Sequence, residues 1–303
     1  MAIVNTGAIG KALWPGLNAI FGMKYNEFPM EYSEIFKTFS SSKNFEEDLG
    51  MYGLGMAEVK PEGDVVHYGD FAQAWLKRYV HVTYALGYII TREAIEDSQY
   101  AEIAAARTRM IAYAMRQTKE TVAANVLNRA FNNSYTGADG LELCSTAHLL
   151  GKGGTFQNEL TTAADLSEAS LEQACIDIMG FVDDASLKIN VMPEKMIVAK
   201  ENAFEAERIL RSTLQNDSAQ NAINALRSKG MLPGGYAVNH YLTDADAFFI
   251  LTNAENGLKH FERRGVEFEQ DQDFDSDNIK FKGSERYVFS WTDPRGIFGS
   301  PGA

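Results

Sequence analysis

Two cysteines, Cys144 and Cys175, are all the thiol chemistry the sequence holds. A secreted disulfide framework needs more, so a reducing compartment is expected. Basic charge is also short: 28 lysines and arginines stand against 41 acidic residues, a net charge of −13, with no basic block. Gripping a phosphate backbone takes clustered cations that release counterions, and the clusters are missing. Long apolar runs are missing too. Stretches such as 248–251 fall far short of a membrane span, and MAIVNTGAIGKALWPG lacks a basic leader followed by an apolar core. These shortages predict a soluble chain made in a cytoplasm, away from membranes and without specific nucleic-acid binding. The rest of the composition is ordinary: 303 residues, 45% hydrophobic and 23% charged, enough for one large domain or two modest ones.

What is present is concentrated in residues 71–131. In FAQAWLKRYVHVTYALGYII, Leu76, Arg78, Val80, Val82, Tyr84 and Leu86 fall on one face, and Lys77, Tyr79, His81, Thr83 and Ala85 on the other. Alternation over roughly twenty residues, against about five or six in a common strand, predicts a strand roughly 60 Å long. One subunit cannot cover such a strand, so it is expected to lie on another copy of the chain. Upstream, Gly50, Gly53, Gly55, Gly63 and Gly69 surround a turn at Pro61-Glu62-Gly63-Asp64, which completes a long glycine-rich hairpin. Downstream, Thr91 is a candidate N-cap with Glu93 and Glu96 near the positive end of the dipole. Ile111, Met115, Val122, Val126 and Ala130, widened by Ile103, Met110 and Ala114, give a helical stripe. It predicts a helix over about 100–131, roughly 45–50 Å long.

Residues 1–45 have no sustained period. Trp14, Leu17, Ile20, Phe21, Tyr25, Phe28, Ile35, Phe36 and Phe39 are scattered among glycine, proline and polar residues. They suit either a subdomain packed on the core or an arm that buries its aromatics on a neighbour. Beyond the long helix, Asp165 and Glu168 resemble a capping box for a helix carrying Leu171, Ala174, Cys175, Ile178 and Val182. A buried strand is expected at 196–199, a helix through Ala203, Ala206, Leu210 and Leu214, and strands at 236–242, 247–252, 266–269, 279–281 and 287–291. Helices and strands mixed without βαβ regularity read as α+β.

No chemical motif survives scrutiny. Gly151-Lys152-Gly153-Gly154 lacks the spacing of a phosphate loop and reads as a surface turn. Cys144 and His148, four apart, are too few for a structural zinc, and no partner completes a nucleophile. His67, His81, His240 and His260 are dispersed. The acidic run 267–277 does not match a calcium loop and reads as a solvated face. No metal, cofactor or enzymatic activity is expected.

The order of parts, from aromatic arm through glycine-rich hairpin, capped long helix and mixed α/β region to closing strands, resembles the major capsid protein of tailed bacteriophages, the Hong Kong 97-type shell protein. GYIITREAIEDSQY is similar to the junction of the hairpin with the long spine helix. MPEKMIVAKENAFEAERILRS is similar to the strand-then-helix step of the axial domain, and RYVFSWTDPRGIFGS to the last peripheral strand. The resemblance covers about residues 30–300 and rests on order and spacing.

It implies an N-terminal arm at 1–45, an extended hairpin at 46–83, a peripheral domain at 84–165 with its closing strands at 256–303, and an axial domain at 166–255. It implies self-assembly through hexamers and pentamers into an icosahedral shell that encloses DNA without specific binding. Trp14, Phe21 and Phe28 of the arm, and Met56, Lys60, Asp70, Trp75, Lys77 and Arg78 of the hairpin, would reach neighbouring subunits. Portal and possible decoration proteins are further partners. Only about 45 residues precede the hairpin, so a separate scaffolding protein is implied, or the arm does part of that work. Some relatives join a hairpin lysine to an asparagine; Lys60 and Asn278 are present, but the sequence identifies no pair. An encapsulin-like nanocompartment shell is the alternative within the fold. A cytoplasmic enzyme using Cys144 or the acidic run is the alternative outside it, and a host adhesion or fibre protein is disfavoured.

Overall fold

Helix forms where the sequence shows no period. In the computed structural model, which describes residues 6–52, 54–68, 72–91, 93–94, 100–215, 222–273 and 278–303, α1 spans Thr6–Tyr25 with Pro15 inside it. Pro15, Gly16 and Gly22 all disfavour helix. Leu17, Phe21 and Tyr25 nevertheless recur every fourth residue, and they are buried with Ile111, Met115, Phe268 and Phe281. Burial of that stripe outweighs propensity. A single turn of 3-10 helix at Glu31–Glu34 follows and buries Tyr32.

The stretch expected as one strand is two. After β1 (Lys37–Ser40) and β2 (Phe45–Tyr52) come β3 (Ala72–Val80) and β4 (Val82–Ile90), nine residues each and about 30 Å long. The break is at His81, and the two halves serve different sheets. β3 pairs antiparallel with β2 in a two-stranded ribbon, while β4 joins the main sheet. The alternation is continuous because each half has a body-facing and a solvent-facing side; it does not report the break.

Thr91 Oγ1 accepts from the Ala94 amide at 3.4 Å, as a cap does; Glu96 lies outside the described residues. The long helix α2 (Tyr100–Asn128) has 29 residues, about 43 Å. β5 (His148–Leu149) and β6 (Thr155–Phe156) bracket the 151–154 turn. α3 (Glu168–Met179) is capped by Ser167 and Ser170, not by Asp165 and Glu168: each serine side chain accepts from the other's amide, at 3.2 and 2.9 Å. There follow β7 (Pro193–Ala199), α4 (Ala203–Arg211), α5 (Ala225–Lys229), β8 (Tyr236–Asn239) and β9 (Phe248–Thr252). Val182 and Leu214 fall beyond their expected helices, in isolated bridges to Lys188 and Ile223. The three short closing strands are two long ones, β10 (Leu258–Gln272) and β11 (Ile279–Trp291), before β12 (Ile297–Ser300). Charged residues hid their length. The described part of the acidic run lies on β10 and just past its end: Glu269 meets Lys282 at 2.9 Å, and Asp273, beyond the strand, meets Lys280 at 2.8 Å.

One sheet has the order β1-β10-β11-β4 and the other β12-β9-β7-β8, each with one parallel pair. In the second, alternation divides the residues between two cores. Met196, Val198, Phe248, Ile250 and Phe298 pack with Leu171, Ile178, Ala206 and Leu226 of the three short helices. Ile197, Ala199, Phe249 and Ile297 pack with Leu127 of α2, with Ala130 in the turn after it, and with Tyr287 and Phe289 of β11. A third core joins α1 to the first half of α2. The fold is α+β.

Candidate assembly surfaces

A two-stranded ribbon is marginal in water by itself, so what holds β2 and β3 decides what they can do. Their root is fixed to the body by a polar lock. Tyr79 is 1% exposed, and its hydroxyl meets that of Thr292. Asp48 Oδ2 accepts from Thr292 and from Lys259 Nζ, both at 2.6 Å. Burial pushes the Tyr79 phenol up, keeping it neutral. Lys77 lies 4.7 Å over the Trp291 ring, and burial lowers its pKa against the pull of Asp139. Arg78 pairs with Glu47 at 2.6 Å and covers Phe45 at 4.4 Å. Trp75 lies across Gly50, where a Cβ would overlap the indole, so only glycine fits beneath it.

His81 marks the pivot. Ser41 Oγ donates to Glu46 at 2.8 Å, which leaves it to accept from His81 Nε2 at 3.1 Å. Burial and then Arg286 hold the imidazole below its usual pKa, with Arg263 adding and Glu46 opposing.

Beyond the root the ribbon opens. Residues 54–68 form no strand. Asp64 N donates to Pro61 O at 3.2 Å, and Gly63 has the φ of +82° that the third position of a type II turn requires. Leu54, Met56, Val59, Val65, Val66 and Tyr68 are all exposed, Met56 at 82% and Val59 at 93%. A concentrated apolar set of this kind marks a contact surface. Lys60 is exposed beside them. Asp70 lies outside the described residues.

The arm is different. Trp14 stacks on Phe268 at 5.2 Å and Phe21 on the same ring at 4.8 Å. Phe21 is 3% exposed and covered by its own chain. This corrects its expected role as an anchor for a neighbour: the missed helix turns it inward. Phe28 remains exposed, edge-on to Tyr113 at 5.9 Å.

Beneath the arm is a charged cluster that no motif announced. Tyr25 donates to Glu285 at 3.0 Å, and the Tyr32 amide to Glu120 at 3.0 Å. Lys119 lies 3.2 Å from Glu262 and 3.5 Å from Glu285, and Arg116 lies 3.4 Å from Glu120. Burial raises the pKa of Glu120 and of Glu285, with Arg116 and Lys119 respectively opposing. Burial, then Lys119, lowers His260 to about 3. The only local signal is the Arg116–Glu120 spacing; the other partners come from distant segments.

The sequence's chemical candidates do not converge. Cys144 and Cys175 are both buried, and burial pushes the first thiol well up and the second to about 11, which disfavours the thiolate at either. His148 lies 2.5 Å from Asp139 and 3.0 Å from Asn158 Oδ1, while Asn158 Nδ2 donates to the carbonyls of Leu143, Pro294 and Ile297. That network ties the closing segment together. Among the described residues there is no group of three His, Cys, Asp or Glu that could hold a metal, and no helix long and apolar enough to cross a membrane.

Comparison with known proteins agrees with the architecture. A family model described as phage capsid protein matches residues 76–299. No curated protein matches the sequence. Among solved structures, that titled Mycobacterium phage Patience aligns at a TM-score of 0.55 and 12% identity, over 95% of this chain and 87% of that one. The mature capsid of bacteriophage PhiM1 aligns at 0.52 and 11%, over 90% and 87%. The capsid of an empty GTA particle aligns at 0.50 and 12%, over 90% of each. At these identities the structures speak for the fold, and the family match speaks for descent: the chain belongs to the phage capsid protein family and has the Hong Kong 97-type fold of a tailed-phage major capsid protein.

Proposed function

We propose that copies of this chain assemble through rings of six and five into a closed icosahedral shell around viral DNA. The observation that carries this reading is the hairpin's distal half, whose large apolar side chains are left exposed by their own chain while the root is locked in place. A heterologous contact made by a reaching element closes into rings and then into a lattice. In this division of labour, residues 1–45 are the arm, 46–83 the reaching hairpin, 84–165 with 256–303 the peripheral domain, and 166–255 the axial domain. Met56, Lys60 and Phe28 contact neighbours, with Asp70 beyond the described turn. Trp14 braces the arm, while Trp75, Lys77 and Arg78 set the direction in which the hairpin leaves the body. The net charge of −13 suits a wall that leaves packaged DNA unbound.

The shell acts by enclosure and carries no catalysis or cofactor. It assembles in the host cytoplasm with a scaffolding protein, takes in a portal, and offers outer faces to decoration proteins. Negative-stain microscopy of the expressed protein should show shells, tubes or capsomer rings. Deleting 55–70 should abolish them and leave a folded body. A monodisperse monomer at high concentration, or normal particles from the deletion, would overturn the proposal.

A further inference from the structure

The three short helices carry two unlike apolar features that none of the described residues covers. The first is convex. α4 turns Ala206 and Ile209 into the core and leaves Phe204 at 80% exposure, the most exposed phenylalanine among the described residues. The second is concave. Between α3 and α5 runs a groove of about 130 Å³, with Cys175 and Leu226 at its floor, Ile176, Met179 and Met231 on its walls, and Lys229 on its rim. Ile176 and Met179 are exposed although they flank an apolar floor. A cavity of about 150 Å³ admits a benzene molecule, so this groove has the size for one phenyl ring.

Phe204 does not fill the groove of its own chain. α4 is joined to α5 at its other end, where Asn224 donates to Ile209 O and Arg227 to Arg211 O. Phe204 is two turns back, roughly 10 Å along the helix. A knob and a hole at separate places on one chain make a heterologous contact, and such contacts propagate around a ring. Charge sets the side of the pairing: Glu201 and Glu205 flank the knob, and the groove is bordered by both Lys229 and Glu172, so the knob's carboxylates must face Lys229. Among the described residues Glu205 pairs with the exposed Arg208 at 2.6 Å, a weak tie.

We infer that Phe204 of each subunit seats in the α3/α5 groove of the next copy around a capsomer, with Glu205 turned toward Lys229. The inference rests on the shell reading and assigns the residues of one ring contact.

Cross-linking tests it, because both native cysteines are buried and free. Two differently tagged chains, one with Glu205→Cys and one with Lys229→Cys, both keeping Phe204, are co-assembled and treated with a short bismaleimide. The expected product is the mixed dimer alone. A chain carrying both substitutions should give a ladder that climbs to five or six subunits. Dimers between two Glu205→Cys chains would show an isologous contact and overturn the inference, as would wild-type shells whose variants assemble without cross-linking. In parallel, Phe204→Ser should lower the assembled fraction at least tenfold while the far-ultraviolet spectrum of the unassembled chain is unchanged, and Phe204→Leu should restore most of it. Normal assembly of Phe204→Ser would overturn this contact and leave the shell reading intact. If the wild-type chain forms no particles, the shell reading fails and the contact falls with it.

Discussion

Replacing Lys119 by methionine would strand a carboxylate that the fold cannot easily accommodate. Glu285 is fully buried, and Lys119 lies 3.5 Å from it. Glu262, the other partner of Lys119, is partly exposed and can turn to water. Removing one member of a buried pair typically costs about 3–5 kcal/mol. Glu285 has one escape, to take a proton, and burial already raises its pKa. Each pKa unit corresponds to about 1.4 kcal/mol. An acid whose folded pKa lies above its unfolded value binds its proton more tightly in the folded state. Its contribution is full below the unfolded pKa and is lost as pH rises through the folded one. Lys119→Met should therefore lose stability with rising pH at up to about 1.4 kcal/mol per unit more steeply than the parent.

A companion change separates charge from packing. Glu285→Gln in the same chain removes the charge but keeps an oxygen that accepts from Tyr25, so it should restore about 2 kcal/mol at pH 7 and flatten the slope. Urea unfolding of the unassembled protein, followed by circular dichroism from pH 5 to 8, measures both. A single variant within about 1 kcal/mol of the parent at pH 7, or a double variant less stable than the single, would refute the reasoning.

Gly50→Ala places a methyl group inside the Trp75 indole, an overpacking of about 1–3 kcal/mol confined to the ribbon; limited proteolysis of the hairpin should quicken several-fold, and an unchanged rate would count against the contact. Neither Cys144 nor Cys175 should react with a thiol reagent until the chain is denatured, because burial raises both thiols; prompt labelling of the native protein would contradict their placement. His81, held below its usual pKa by burial and Arg286, stabilises the pivot at neutral pH, and that stability is lost as pH falls below about 6.5 toward its folded pKa. Hydrogen exchange at the β3–β4 junction, corrected for intrinsic rates, should thus be faster at pH 5 than at pH 7.5. His81→Gln, which keeps the donor to Ser41, should remove the difference; equal pH dependence in both proteins would refute the role.

The hairpin's two faces, the long helix and the turn at Gly63 were legible because each depends on a local period or on one residue's allowed φ. The break at His81 was not, since a strand that changes sheets keeps alternating. α1 was hidden by Pro15 and the glycines, and only the distant Phe268 and Phe281 make Leu17, Phe21 and Tyr25 a helical face. The β10 and β11 strands were shortened in the reading by charged residues that pair across the strands. The buried charges and the root lock were beyond reach for one reason: Asp48, Lys259 and Thr292 come from three distant segments, and a lone Asp or Lys in a sequence does not show which partner neutralises it.

In the proposed assembly, the root lock would fix the hairpin's direction before any neighbour arrives. Association loses freedom for every segment that must be ordered at the contact. If the whole ribbon were loose, each new subunit would order some thirty residues at once, and the modest apolar area of the tip could not offset that. Asp48, Tyr79, Lys77 and Trp75 remove most of this cost in advance, because their partners belong to the same chain and are satisfied before any neighbour arrives. In the proposed assembly, residues 54–68 would then be the part left for a neighbour to cover. The two halves of the ribbon thus differ in how they are held: the root is tied to the body by a few buried polar groups, and residues 54–68 leave large apolar side chains exposed.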